Sequence, residues 1–213
     1  MSDHPATHVV LLPVKPPARG KSRLVGLDDG ARATLARGFA LDTAEACLAA
    51  APVGAVLVVT DDAFFASEVR ALGCDVIPDG VSGDLNGTLV QAAAEARRRW
   101  PGLVPAALCG DLPALRPDDL TEAVWSVTPG TPAYVVDAVG TGTTLYTAAY
   151  DAFAPAFGVD SARLHREGGA TPIDGDLPSL RHDVDTLDDL RGVRALGLGP
   201  RTMLAALRAG LSD

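Results

Sequence analysis

Cysteine is scarce in this sequence: Cys47, Cys74 and Cys109 are widely spaced and each lies in an apolar stretch. Three such residues suggest neither a disulfide framework nor a zinc site, and they fit a reducing compartment, so a cytoplasmic protein is expected. Cations are also outnumbered, with 18 Lys and Arg against 27 Asp and Glu and a formal net charge of −9. That balance argues against non-specific binding to nucleic acid or to an anionic membrane surface, both of which need basic patches. Long hydrophobic runs are missing: the longest, Ala46 to Val59, is interrupted by Pro52 and Gly54. The opening MSDHPATH lacks a basic region followed by an apolar one, so neither secretion nor a bilayer span is expected. What is present, 213 residues of which 47% are hydrophobic and 21% charged, can bury one sizeable core, and a single domain over 1–213 is expected.

The chain is organised around Val104 to Leu115, VPAALCGDLPAL, an apolar run that stops at Gly110-Asp111 and turns at Leu112-Pro113. Such a run reads as a strand buried on both faces of a parallel sheet. A carboxylate at its carboxyl end sits where open α/β sheets bind ligands. There Asp111 could hold a hard cation such as Mg²⁺, which takes oxygen ligands and is shared with substrate phosphates. The alternative is that it only caps the turn.

His8 to Val14 is a second unalternating β-branched run and opens the sheet. The loop after it, Lys15 to Leu24, carries four cations, Lys15, Arg19, Lys21 and Arg23, in nine residues of an otherwise acidic chain. Gly20-Lys21-Ser22 matches the end of a P-loop, but the first glycine of that motif would fall at Lys15, so the match fails. The local reversal of charge still favours an anion site over a merely solvated loop.

Helical spacing of Leu35, Phe39, Ala46 and Leu48 gives an amphipathic helix capped near Asp28 or Asp29. Gly54 to Thr60 is the next strand, with Asp61-Asp62 capping a helix through Leu72. Cys74 to Ile77 is a third strand, and Leu85-Asn86-Gly87 lead into a helix through Arg99, after a long loop from Asp79 to Asn86. Pro117 marks the helix that follows Asp111. This βαβαβαβα order predicts a doubly wound, mainly parallel sheet.

After Pro129-Gly130 the texture changes: Ala133 to Asp137 and Gly140 to Tyr146 are two β-prone segments joined by a glycine turn, a mixed-sheet excursion. GTGTT lacks the third glycine of a dinucleotide fingerprint, although a glycine turn with exposed amides suits phosphate. Phe157-Gly158-Val159-Asp160-Ser161 starts a short helix, either as an anion site or as an ordinary N-cap. Leu180 to Asp183 reads as a last strand, and Asp183 and Asp185 at spacing two could supply a metal ligand or cap the helix from Leu187. Met203, Leu204, Leu207 and Leu211 form a stripe on a terminal helix, read as core or as a homodimer contact.

Taken together, PVKPPARGKSRL, LNGTL, GDLPAL, GTGTT, FGVDSARLH and LRHDVDTLDDL resemble the phosphoenolpyruvate/2-phospho-L-lactate guanylyltransferase family of coenzyme F-420 biosynthesis, in order from about residue 9 to 190. The resemblance implies an α/β fold, the three-layer, Rossmann-like nucleotidyltransferase fold with a mainly parallel mixed sheet. It implies that Lys15, Lys21 and Arg23 face the GTP phosphates, with Lys21 and Asp111 catalytic, and that Asp79, Leu85 and Asn86 lie near the guanine. It further implies that Asp111 and Asp183 hold Mg²⁺, two ions in all, and that the acceptor phosphate meets Thr143, Gly158 and Ser161. Thr144 stands where many members have Asn, and Ala138 where many have Arg; both adjoin the acceptor loop. The Ala, Arg and Gly richness resembles an actinobacterial member, which implies phosphoenolpyruvate as acceptor before 2-phospho-L-lactate. Handover of a labile product to the next transferase of the pathway is a further implication.

The chemistry explains an absence. A phosphate monoester has its second pKa near 6, so its attacking oxygen is largely ionised at neutral pH and no catalytic His is required. His165 is the histidine that could lie near the acceptor. The obstacle is repulsion between two polyanions, since each pair of like unit charges ~4 Å apart costs roughly 4 kcal/mol at an effective dielectric of 20. Two rivals remain: a metal-dependent glycosyltransferase, suggested by Asp183-Val184-Asp185, and a nucleotide-binding protein without turnover. Pyrophosphate release separates the first, and binding without product the second.

Overall fold

The computed structural model describes residues 5–15, 24–81 and 83–211. Strand β1 (His8–Pro13) is the one around which the others assemble: Val9 and Leu11 face one layer of helices, Val10 and Leu12 the other, and all four are fully buried. That double burial is why the strand shows no polar alternation. β2 (Val53–Val59) and β4 (Val104–Leu108) flank it in parallel, and β3 (Asp75–Ile77) lies beyond β2. The linking helices are α1 (Asp29–Ala49), α2 (Ala63–Leu72), α3 (Leu85–Arg99) and α4 (Pro117–Trp125). α1, α2 and α4 pack against the Val10 and Leu12 face, and α3 against the Val9 and Leu11 face, which makes three layers.

The order across the seven-stranded sheet is β3-β2-β1-β4, then β6 (Thr143–Thr147), β5 (Ala133–Val136) and β7 (Thr171–Pro172). The chain winds outward from β1 to β3, then crosses back to β4 on the other side of β1. Strand order therefore reverses between β1 and β4, and a crevice opens at their carboxyl ends. The mixed-sheet excursion is present: β6 runs antiparallel to both β4 and β5. In the turn between β5 and β6, Asp137 Oδ1 accepts from the amides of Gly140 (2.7 Å) and Thr141 (3.0 Å). A Cβ at Gly142 would collide with the same carboxylate, so a side chain there would have to displace Asp137 from these amides.

Several sequence expectations fail on the carboxyl-terminal side. Leu180 to Asp183 is not a strand: Pro178–Arg181 forms the short helix α6 instead, with Pro178 in its first turn. The Arg181 side chain shows why the segment crosses the end of the sheet rather than joining it, because its guanidinium donates to the carbonyls of Val136, Ile173 and Gly175. The edge strand is the two-residue β7 (Thr171–Pro172), parallel to β5 and too short to leave a hydropathy signal. Helices α5 (Ser161–Glu167), α7 (Leu187–Val193) and α8 (Pro200–Arg208) complete the chain.

On α8 the core reading of the apolar stripe is overturned. Met203, Leu204 and Leu207 are about half exposed, while Thr202, Ala205 and Ala206 form the buried face. What fixes this rotation is Asp42, buried on α1, whose carboxylate accepts from the amides of Arg201 (3.2 Å) and Thr202 (2.7 Å) and so caps α8.

Candidate active site

The crevice between β1 and β4 is a cavity of about 360 Å³, lined among others by Val14, Lys15, Asp79, Leu85, Asp111 and Phe157. That volume falls within the range of small-molecule sites. Gly110 lets the two strand exits approach: a Cβ there would stand 3.3 Å from Val14 Cγ2 and 3.4 Å from the Pro13 carbonyl. Among the described residues, Lys15 is the cation of a lining that also holds Asp61, Asp79, Asp84, Asp111 and Asp185.

On the α3 side, Asp79 and Asp84 are held by hydrogen bonds to neighbouring backbone and side chains. Asp79 Oδ1 accepts from Thr88 Oγ1 (2.7 Å) and the Val81 amide (3.1 Å), and the Asp79 amide donates to Asp61 Oδ1 (2.9 Å). Asp84 caps α3 by accepting from the Gly87 amide (3.0 Å). Leu85 remains 38% exposed and presents an apolar surface to the cavity. Asn86 points elsewhere. Its Nδ2 donates to the Phe157 carbonyl (3.0 Å) and its Oδ1 accepts from the Phe157 amide (2.8 Å), so α3 grips the loop before α5.

On the β4 side, Asp111 and Asp183 are neighbours. The Val184 amide donates to the Asp111 carbonyl (3.0 Å), which fastens the segment after α6 to the end of β4. Burial first, then the charges of Asp111, Asp185 and Asp137, push the Asp183 carboxyl up to about 7. Mutually repelling oxygen donors of this kind call for a cation. Among the described residues, no group of three or more His, Cys, Asp or Glu forms a metal cage. Mg²⁺ does not require one: it usually keeps several waters and takes one or two carboxylates with substrate phosphates. The residues therefore fit that ion.

On the acceptor side, Thr143 begins β6 and its Oγ1 lies 3.0 Å from His165 Nδ1. The Ser161 amide donates to the Gly158 carbonyl (3.2 Å), and the Ala162 amide donates to the Thr141 carbonyl (3.1 Å), which brings the start of α5 against the hairpin turn. Gly158, at φ 128°, has open space where a Cβ would be. Asp160 makes no side-chain cap, so the ordinary N-cap explanation of this motif does not hold for it. Thr143 and Ser161 are buried (5% and 1% exposed).

Of the residues singled out from sequence, Lys15, Asp79, Leu85 and Asp111 line one cavity, and Asp183 stands beside it. Thr143, Gly158 and Ser161 gather at the neighbouring turn, joined to the cavity through Phe157. Lys21 and Arg23 lie outside the described residues. Sequence reasoning missed Asp61 and Phe157 as lining residues. The Asp61-Asp62 sequence suggests a cap pair, but only Asp62 caps α2, and Asp61 lines the cavity.

No family model matches the chain. Individual relatives do. A phosphoenolpyruvate guanylyltransferase of Streptomyces coelicolor is 48% identical over 202 residues, covering 93% of this chain and 95% of the relative. One of Thermomonospora curvata is 44% identical over 209 residues, covering 97% and 91%. Among solved structures, 4-diphosphocytidyl-2C-methyl-D-erythritol synthase aligns with a TM-score of 0.58 at 14% identity, covering 90% of this chain and 98% of that one. A nucleotidyl transferase from Methanothermobacter thermautotroptrophicus aligns with a TM-score of 0.57 at 18% identity, covering 89% and 96%. Both structures share the nucleotidyltransferase fold with this chain.

Proposed function

The chain belongs to the phosphoenolpyruvate guanylyltransferase family, and from that premise we propose how its residues move GMP from GTP onto phosphoenolpyruvate. An acceptor phosphate oxygen attacks the α-phosphorus of GTP, the new bond is a diphosphate linkage, and pyrophosphate leaves with the bridging electron pair. The acceptor oxygen is already largely ionised at neutral pH, so no group need remove a proton. His165 fits that account, because both of its ring nitrogens are engaged within the protein.

The task of the protein is positioning and charge balance. Lys15, at the carboxyl end of β1, faces the triphosphate, with Lys21 and Arg23 of the same basic loop assigned to the leaving pyrophosphate. Leu85 offers an apolar face to the guanine, and the carboxylate of Asp79 suits the N–H donors on that base. Asn86 acts through Phe157 by holding the wall between the nucleotide and acceptor sides. Thr143, Gly158 and Ser161 receive the acceptor phosphate. Asp111 and Asp183 would hold Mg²⁺, which when bound supplies the positive charge that lets two polyanions meet.

The observation that carries this reading is the single cavity that joins Lys15, Asp79, Leu85 and Asp111 at the point where strand order reverses. It is tested by pyrophosphate release from GTP and Mg²⁺ with phosphoenolpyruvate or 2-phospho-L-lactate as acceptor. Release with phosphoenolpyruvate is expected. Release with 2-phospho-L-lactate alone would reassign the acceptor, and GTP binding without release under either condition would point to a protein that only binds.

A further inference from the structure

His165 is 2% exposed and enclosed by aromatic rings: Tyr146 stacks on it at 4.5 Å between centroids, and Phe157 meets it edge-on at 5.4 Å. Its two nitrogens are both used. The Ala156 amide donates to Nε2 at 2.9 Å, and Nδ1 lies 3.0 Å from Thr143 Oγ1. A ring nitrogen that accepts from an amide carries no proton, so the proton of the neutral ring is on Nδ1. Nδ1–H then faces Thr143 Oγ1 and the Ser161 carbonyl, so Nδ1 cannot accept from the Thr143 hydroxyl, whose proton is left to be offered elsewhere. The residues that follow Ala156 are Phe157 and Gly158, the segment that Asn86 grips from the opposite side.

Resting on the guanylyl-transfer reading, we propose that His165 is a positioning residue for the acceptor: its Nδ1–H makes Thr143 a hydrogen-bond donor toward the anionic phosphate ester, and its Nε2 holds the turn leading to Gly158. The fixed direction of the first hydrogen bond is what matters, because a hydroxyl that pointed its proton at the ring would present only lone pairs to an anion. Burial among apolar rings keeps the imidazole neutral and so preserves that direction.

Two replacements separate the two halves of the device. In His165→Gln the amide reaches the Nε2 position and can still accept from Ala156, but it no longer donates to Thr143. In His165→Asn the amide nitrogen occupies the Nδ1 position and keeps that donor. With pyrophosphate release as the readout, His165→Gln is expected to raise KM for phosphoenolpyruvate by about tenfold while KM for GTP stays within about twofold. His165→Asn, which keeps the donor but loses the acceptor that holds the turn to Gly158, is expected to raise KM for phosphoenolpyruvate by about threefold, less than His165→Gln. Thr143→Val, which leaves His165 in place, should reproduce the Gln result, and Thr143→Ser should restore the wild-type value. An unshifted KM for phosphoenolpyruvate in both His165→Gln and Thr143→Val, or equal rises in both KM values, would show that His165 only packs. In that case wild-type turnover leaves the guanylyl-transfer reading standing, whereas a wild-type protein that released no pyrophosphate would remove the reading and this proposal together.

Discussion

Asn86 and Phe157 are 71 residues apart in sequence and exchange two hydrogen bonds, amide nitrogen to carbonyl oxygen at 3.0 Å and backbone amide to amide oxygen at 2.8 Å. This reciprocal pair is the bridge between the α3 side of the cavity and the loop that leads to α5. Asn86→Asp keeps the size of the side chain, loses the donor and sets a carboxylate against the Phe157 carbonyl. Steady-state kinetics should show kcat/KM reduced by about 10- to 100-fold for both substrates, since a misplacement of ~1 Å at a reacting centre has effects of that order. A change confined to GTP would indicate that Asn86 serves only the nucleotide.

Asp111→Asn should separate activity from stability. Loss of one of two repelling carboxylates relieves Asp183, whose carboxyl is held up to about 7 by burial and then by Asp111. Thermal melts in metal-free buffer should therefore show a variant at least as stable as wild type. Pyrophosphate release should fall by at least about 100-fold, the scale on which charge-stabilising groups act in transfer reactions.

Asp42→Ala removes the carboxylate that caps α8 from within the core of α1. Its loss leaves two helix-start amides without their acceptor, and urea denaturation should show destabilisation of about 2 kcal/mol. The cavity residues are untouched, so specific activity of the folded fraction should stay near that of wild type.

His8 and His165 are both buried, and burial lowers each imidazole to about 4 from 6.5. Both are neutral in the fold, whereas the unfolded chain takes up their protons below about pH 6.5. The stability they confer is complete above that value and is lost as pH falls toward 4, by up to about 3 kcal/mol for each. Asp183 acts in the opposite direction: neutral in the fold and ionised in the unfolded chain between its ordinary range and about 7, it withdraws stability as pH rises. The histidine effect is therefore read as a difference. The gap in unfolding free energy between wild type and His8→Gln should narrow as pH falls from 7 to about 4.5, and a constant gap would contradict the assignment.

Much of this was legible in the sequence because buried parallel strands write their burial directly into composition. His8–Pro13 and Val104–Leu108 have no polar alternation, and the residues after them, Lys15 and Asp111, were placed at the ligand end by that pattern alone. The glycine turn of the β5–β6 hairpin was visible for the same local reason. Contacts that depend on distant partners were not. Nothing near Asn86 announces Phe157, and nothing near Asp42 announces Thr202, 160 residues away. The α8 stripe misled because hydropathy periodicity identifies an apolar face but not whether α1 covers it; the cap from Asp42 turned the small residues inward instead. Leu180 failed as a strand because Pro178 and the carbonyl contacts of Arg181 outweighed a short apolar run.

The most direct test of guanylyl transfer at this site is ³¹P NMR of GTP and phosphoenolpyruvate incubated with the protein and Mg²⁺. The phosphoenolpyruvate monoester signal should decline together with the three GTP signals, replaced by free pyrophosphate and a new pair of coupled diphosphate resonances. Formation of GDP with inorganic phosphate, or unchanged spectra while GTP is bound, would contradict the account.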